Sequence, residues 1–175
     1  MRAILTSLAL LPAAAVLSAC GSSSATPSPT PTPLPPGQLQ QRYLSAANAY
    51  NAAEKPIAAS ENSYCVPQSA SADLNKCVTA LSNDRQVTIT FDNAVRTISF
   101  PDSARADVTK LLGDDAQLEM LLLQASTAPS LTAIDALTPQ IFRLLTTSST
   151  DADKVRTDIG VPTPSAAVSP SGASS

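Results

Sequence analysis

Residues 74–98 read LNKCVTALSNDRQVTITFDNAVRTI, and this stretch decides the fold. Leu74, Cys77, Leu81, Phe91, Val95 and Ile98 fall on one helical face, but Asp84 and Thr88 occupy the same seam and weaken its middle. Inside it, Val87-Thr88-Ile89-Thr90-Phe91 alternates apolar and polar residues as a half-buried strand does. A strand needs a partner for its backbone donors and acceptors. No second strand-like run is present to pair with it. The stretch is therefore predicted to be helical, as the middle of an element over about 69–99.

The sequence on either side repeats the helical pattern. Leu39, Tyr43, Ala46, Tyr50, Ala53, Ile57, Ser60 and Tyr64 are spaced alternately by four and three, and Pro56 inside this seam predicts a kink or restart near Glu54-Lys55. Ala104, Val108, Leu111, Leu118, Leu122 and Ala125 place another helix over about 102–127. Gly113 is expected to interrupt it, with Asp114 and Gln117 forming a capping box for a restarted helix. Leu131, Ile134, Thr138, Ile141, Leu145, Ser148, Ala152, Val155 and Ile159 mark a fourth, in which Thr138-Pro139 is a kink or a true start. Four amphipathic helices with short connections bury their stripes best as an antiparallel four-helix bundle over 38–160. The class is all-α, and the alternative is three helices with an irregular middle.

Composition narrows the chemistry. The 175 residues include no His, no Trp, three Cys, five Gly and 15 Pro, with a net charge of −3. Without His there is no imidazole base, Ser-His or Cys-His pair, or His-ligated zinc. The basic residues are scattered, so no stripe is available to neutralise a nucleic-acid backbone. No Gly-x-Ser-x-Gly or Ser-x-x-Lys occurs. The residues three before Lys76, Lys110 and Lys154 are Asp73, Asp107 and Asp151, a spacing for ion pairs on a helix surface. Asp151-Ala152-Asp153 begins like a calcium loop, but Val155 and Arg156 occupy positions that need a ligand and a glycine. No catalytic residue, metal site or cofactor is predicted.

The first residues carry a separate message. Met1-Arg2 gives a positive start, Ala3 to Val16 is mostly apolar, and Leu17-Ser18-Ala19-Cys20 follows. The run is short for a permanent membrane span and reads as a signal peptide over 1–19. Leu17-Ser18-Ala19-Cys20 resembles the lipobox of bacterial lipoproteins. That resemblance implies cleavage before Cys20, diacylglyceryl attachment to its sulfur, and a protein held on the extracytoplasmic face of the cell membrane. Two acyl chains make such anchoring stable. Prolines at 27, 29, 31, 33, 35 and 36 make 20–37 an extended tether. Residues 161–175, rich in Pro, Ser and Ala, are expected to be a disordered tail. The body resembles Ala-rich actinobacterial lipoproteins in general character only, and no motif in 38–160 transfers a role.

In that oxidising location, with Cys20 consumed by lipid, Cys65 and Cys77 form an even pair and are predicted to be bridged. Three further groups stand out. Asp114, Asp115 and Glu119 are the densest acidic cluster and read as a capped helix start. Tyr43, Tyr50 and Tyr64 line the first seam, with rings expected in a core and hydroxyls at its edge. Met120-Leu121-Leu122-Leu123 is apolar around the whole helix, as a central buried helix would be.

The leading expectation is a non-catalytic binding or structural module of the cell envelope, with the membrane and an envelope protein or ligand as partners and no nucleic acid. A carrier of a small apolar ligand is the alternative, and a carboxylate enzyme using Asp114 and Asp115 the third. Tyr50, Leu111, Leu118, Leu121 and Leu123 are the candidate ligand or partner surface.

Overall fold

The computed structural model describes residue 32 and residues 34–162. The expected signal peptide, Cys20, the tether as far as residue 31 and the tail from residue 163 lie outside the described residues. Five helices are formed, α1 (Pro36–Tyr64), α2 (Leu74–Arg96), α3 (Asp102–Ser126), α4 (Leu131–Asp135) and α5 (Thr138–Asp158), and no strand is present among the described residues. The all-α expectation holds, and α2 runs unbroken through Val87–Phe91. Thr88 and Phe91 are buried there and Val87 and Ile89 only partly, which is helical spacing rather than strand alternation.

Local chemistry sets the ends. Pro36 opens α1 in the first helical turn, where a missing N–H costs nothing, so the helix begins inside the segment expected to be tether. Asp73 caps α2 by accepting from the Lys76 amide at 3.1 Å. Ser130 caps α4 through the Ala133 amide at 3.2 Å. Thr138-Pro139 is a true start, separating α4 from α5. Gly160 closes α5 at φ 73°, with Val161 N–H donating to the Arg156 carbonyl and Gly160 N–H to that of Thr157. That is a Schellman cap, in which glycine is the residue that tolerates the left-handed position. Val161 is buried beyond it, so the body extends one residue into the expected tail.

Neither α1 nor α3 restarts at its breaker residue. α1 continues through Pro56, and α3 continues through Gly113. A mid-helix glycine costs about 1 kcal/mol relative to alanine, less than the burial of Leu111 and Leu118 on either side returns. Asp114 and Asp115 therefore lie in mid-helix, and Asp114 pairs with Lys110 at 2.8 Å rather than capping anything.

The long helices pack in the order α1 on α2, α2 on α3, and α3 on α5. Their apolar faces form two clusters. One gathers Leu39, Tyr43, Phe91, Val95, Leu111 and Val155. The other gathers Cys77, Leu81, Leu118, Leu122, Ile134 and Leu144. Tyr43 sits edge-on to Phe91 and Phe100. The Sγ atoms of Cys65 and Cys77 lie at bonding distance, with Cα atoms 4.9 Å apart, beside the second cluster. Such a bridge across a short loop stabilises by about 3 kcal/mol in the chain-entropy account.

The all-round burial expected for Met120–Leu123 is not observed. Leu122 is fully buried, while Met120 is 72 % and Leu123 47 % exposed. The reason is geometric: α3 is flanked by α2 on one side and α5 on the other, which leaves it an outer face in solvent.

Two substitution experiments follow. Leu118→Ala removes a side chain that is 1 % exposed and should cost about 2–5 kcal/mol in denaturant unfolding, whereas Leu123→Ala should stay within about 0.5 kcal/mol of the parent. Gly113 has open space where a Cβ would stand, so Gly113→Ala should stabilise by about 0.5–1 kcal/mol. Thermal unfolding should register it as a gain of about 2–5 °C. A loss would mean that α3 is not continuous at that point.

Candidate functional site

Between the two apolar clusters the helices carry acids where a core would ordinarily be apolar. Asp84 and Thr88 of α2, Asp115 of α3 and Asp151 of α5 are all buried, as is Asp92, one turn beyond Thr88. They fall on the helix faces that bear Leu81, Leu118 and Leu144 on one side and Phe91, Leu111 and Val155 on the other.

A buried carboxylate requires a cation or a proton. Asp151 has cations: Lys110 of α3 donates to it at 2.5 Å and Lys154 at 3.0 Å. Burial opposes its ionisation, but the two ammonium groups outweigh burial and hold its carboxyl below the ordinary range. The Asp73–Lys76 pair forms on the surface as expected, Asp151–Lys154 forms with its carboxylate buried rather than at the surface, and Lys110 turns to Asp114 and Asp151 instead of Asp107.

The other acids have protons. Asp92 Oδ2 accepts from Arg96 at 3.0 Å, but its Oδ1 is sealed from solvent with no ordinary donor. That carboxyl faces Asp115, which also accepts from the Ser148 hydroxyl at 2.5 Å. Asp84 Oδ1 is likewise sealed without a donor, and Asp84 faces Glu54 of α1, whose Oε2 has none either. Two ionised carboxylates in contact repel, so each pair holds a shared proton. Burial, then the neighbouring Asp115, pushes Asp92 up to about 8 against the pull of Arg96. Burial, then Glu54, pushes Asp84 up to about 7. Glu61, one heptad after Glu54, rises to about 8 through burial and then the charges of Asp84 and Glu54.

Asp115, Glu54 and Glu61 border an opening. The backbones of α1 and α5 do not approach as the other neighbouring long helices do. Side chains bridge them at one end: Tyr43 donates its hydroxyl to the Ala152 carbonyl at 3.1 Å, and Gln40 donates to that of Ile159 at 2.9 Å. Farther along, the seam holds two hollows. The upper one, about 160 Å³, is lined by Tyr50, Leu111, Asp115, Ser148 and Arg156 among others. The lower one, about 270 Å³, is bordered by Glu54 and Glu61 of α1, Leu81, Ile134 of α4, and Ile141 and Phe142 of α5. Leu145 lines both and marks where they adjoin.

The structure divides the sequence-based candidates. Tyr50 and Leu111 meet in the upper hollow. Leu118 is in the second cluster and lines neither hollow, and Leu121 packs partly buried against that cluster. Leu123 stands in solvent. Tyr43 keeps its ring in the core and its hydroxyl at the edge, as expected, and Tyr64 lies under the Lys76 ammonium at 4.8 Å. Asp115, expected on a solvated helix start, is 3 % exposed. Glu54, Glu61 and Asp84 are not among the sequence-based candidates. Their signal is present in the seven-residue spacing of the two glutamates and in an aspartate on an apolar seam. Among the described residues, no group of three or more His, Cys, Asp or Glu side chains is placed to hold a metal ion.

No family model, curated protein or solved structure matches this chain.

The shared protons give stability a definite pH dependence. The folded state keeps protons on Asp84, Asp92 and Glu61 that the unfolded chain releases near pH 4. Stability therefore falls as pH rises from about 4–5 to 8, by up to about 1.4 kcal/mol per pH unit for each group fully protonated in one state only. Asp151, with its lowered carboxyl, is protonated only at lower pH and limits stability on the acid side. Thermal melts should be highest near pH 4–5 and fall toward pH 8. Asp92→Asn supplies a permanent donor and should flatten the slope between pH 6 and 8. A melting temperature that climbs from pH 5 to pH 8 would refute the shared protons.

Proposed function

We propose that this chain is a lipid-anchored, extracytoplasmic, non-catalytic binding module of the cell envelope. It is held by a diacylglyceryl group on Cys20, and its binding site is the seam between α1 and α5. The observation that carries the site is the pair of adjoining hollows along that seam, the upper of mixed polar and apolar lining and the lower lined mainly by apolar side chains with a few polar groups, as small-molecule sites usually are. The Leu17-Ser18-Ala19-Cys20 box supports the anchoring. A second reading, capture of a partner protein, is favoured by Met120 and Leu123, exposed three residues apart on the outer face of α3. A carboxylate enzyme has weaker support. Asp115 borders the upper hollow, but its carboxyl is engaged by Ser148 and Asp92, and Asp114 is engaged by Lys110.

Both halves of the proposal are open to measurement. Cys20→Ala should leave the membrane fraction or accumulate as uncleaved precursor, and the parent should show a mass gain consistent with acylation. An unmodified mature N-terminus in the membrane fraction would overturn the anchoring. For the site, hexanol titrated into the purified protein should shift the methyl NMR signals of Leu145, Ile141 and Leu111 and leave Leu122 and Val95 unmoved. Leu145→Trp, which blocks the junction of the hollows, should abolish those shifts. Shifts scattered over the core would count against the seam.

A further inference from the structure

The lower hollow is bordered by acids and by no base. Glu54, Glu61 and Asp135 border it, and no Lys or Arg does. None of these acids takes part in an ion pair among the described residues, in contrast to Asp73, Asp92, Asp102, Asp114 and Asp151, which all do. Glu54 Oε2 and Glu61 Oε1 are each inaccessible to solvent and lack a hydrogen-bond partner. Behind Glu54 stands Asp84, 2 % exposed, with its Oδ1 also unpartnered. The remaining wall is largely apolar, from Leu81, Ile134, Ile141 and Leu145, and Phe142 stands 63 % exposed at the border.

These features fit one class of occupant. Carboxyls that keep a proton for want of a cation give it up to solvent when an ammonium group faces them, and they turn away an anion. The apolar walls call for a hydrocarbon body, and a hollow of about 270 Å³ restricts it to a small one. An exposed aromatic ring beside such a hollow is suited to the face of a cation. We propose that the lower hollow binds a small, freely diffusing organic cation, an ammonium group on an apolar body, with Glu54 and Glu61 facing the charge. The inference rests on the seam being the binding site and adds the chemical class of its ligand. The ammonium charge replaces the protons on the Glu54 and Glu61 carboxyl groups that border the hollow, and the walls take its hydrocarbon out of water.

The test is a calorimetric titration of the purified protein at pH 7.5 with three six-carbon probes: hexylammonium, hexanol and hexanoate. Hexylammonium should bind at least about tenfold more tightly than hexanol, and hexanoate more weakly than either. Glu54→Gln/Glu61→Gln should weaken hexylammonium by about tenfold or more and leave hexanol unchanged, with the helical circular dichroism of the parent as the control for folding. Phe142→Ala, at an exposed position that leaves the core intact, should weaken hexylammonium more than hexanol. Equal affinity for hexylammonium and hexanol, or indifference to the glutamine changes, would overturn the cation inference and leave the seam as an apolar site. Failure of all three probes to bind would overturn both.

Discussion

The feature on which the rest of this structure turns is the burial of carboxyl groups halfway along a helical bundle. An unpaired charge cannot remain in an apolar interior, so each acid there must find a cation or keep a proton. Asp151 takes two lysines and ties α3 to α5. Asp92 with Asp115, and Asp84 with Glu54, share protons and tie α2 to α3 and α1 to α2. The apolar residues are thereby separated into two clusters, one on each side of the polar layer. Because a slip of one helix along another would set a carboxyl against leucine, this layer also favours one alignment of the helices over its neighbours.

Much of the fold is readable from spacing alone. The seams of the four long helices stand in the sequence at intervals of three and four, and the structure buries most of the residues they nominate. Val87–Phe91 is ambiguous by pattern, and the absence of a partner strand resolves it correctly. Continuity is harder to read. Whether Gly113 or Pro56 interrupts a helix depends on the packing gained by the turns on either side, which a local pattern does not contain. The outer face of α3 shows the same limit, since four successive apolar residues say nothing about how many neighbours surround them.

The site is less legible for a related reason. Tyr50 and Leu111 are identifiable as apolar wall residues, but the hollow they border exists because α1 and α5 stay apart, a property of the assembled helices. The protonation of Asp84, Asp92 and Glu61 is equally a matter of tertiary neighbours, for in sequence each is an ordinary acid. Asp84 on the seam of α2 is visible as a flaw in an apolar pattern. Its meaning emerges only with Glu54 facing it from another helix.

The described chain begins and ends beside the same apolar cluster. Leu34 packs against it and donates its amide to the Ser99 carbonyl, while Ile159 and Val161 are buried in it. The Cys65–Cys77 bridge accompanies the other cluster. A mechanical load entering through the N-terminal segment therefore meets Leu34 and then the first turns of α1 before it reaches the disulfide. There α1 is fastened to the end of α5 by hydrogen bonds from Gln40 and Tyr43. The covalent bridge lies at the other end of α1, where such a pull arrives last, so the disulfide secures the half of the molecule that holds the lower hollow and leaves the loaded half to noncovalent contacts.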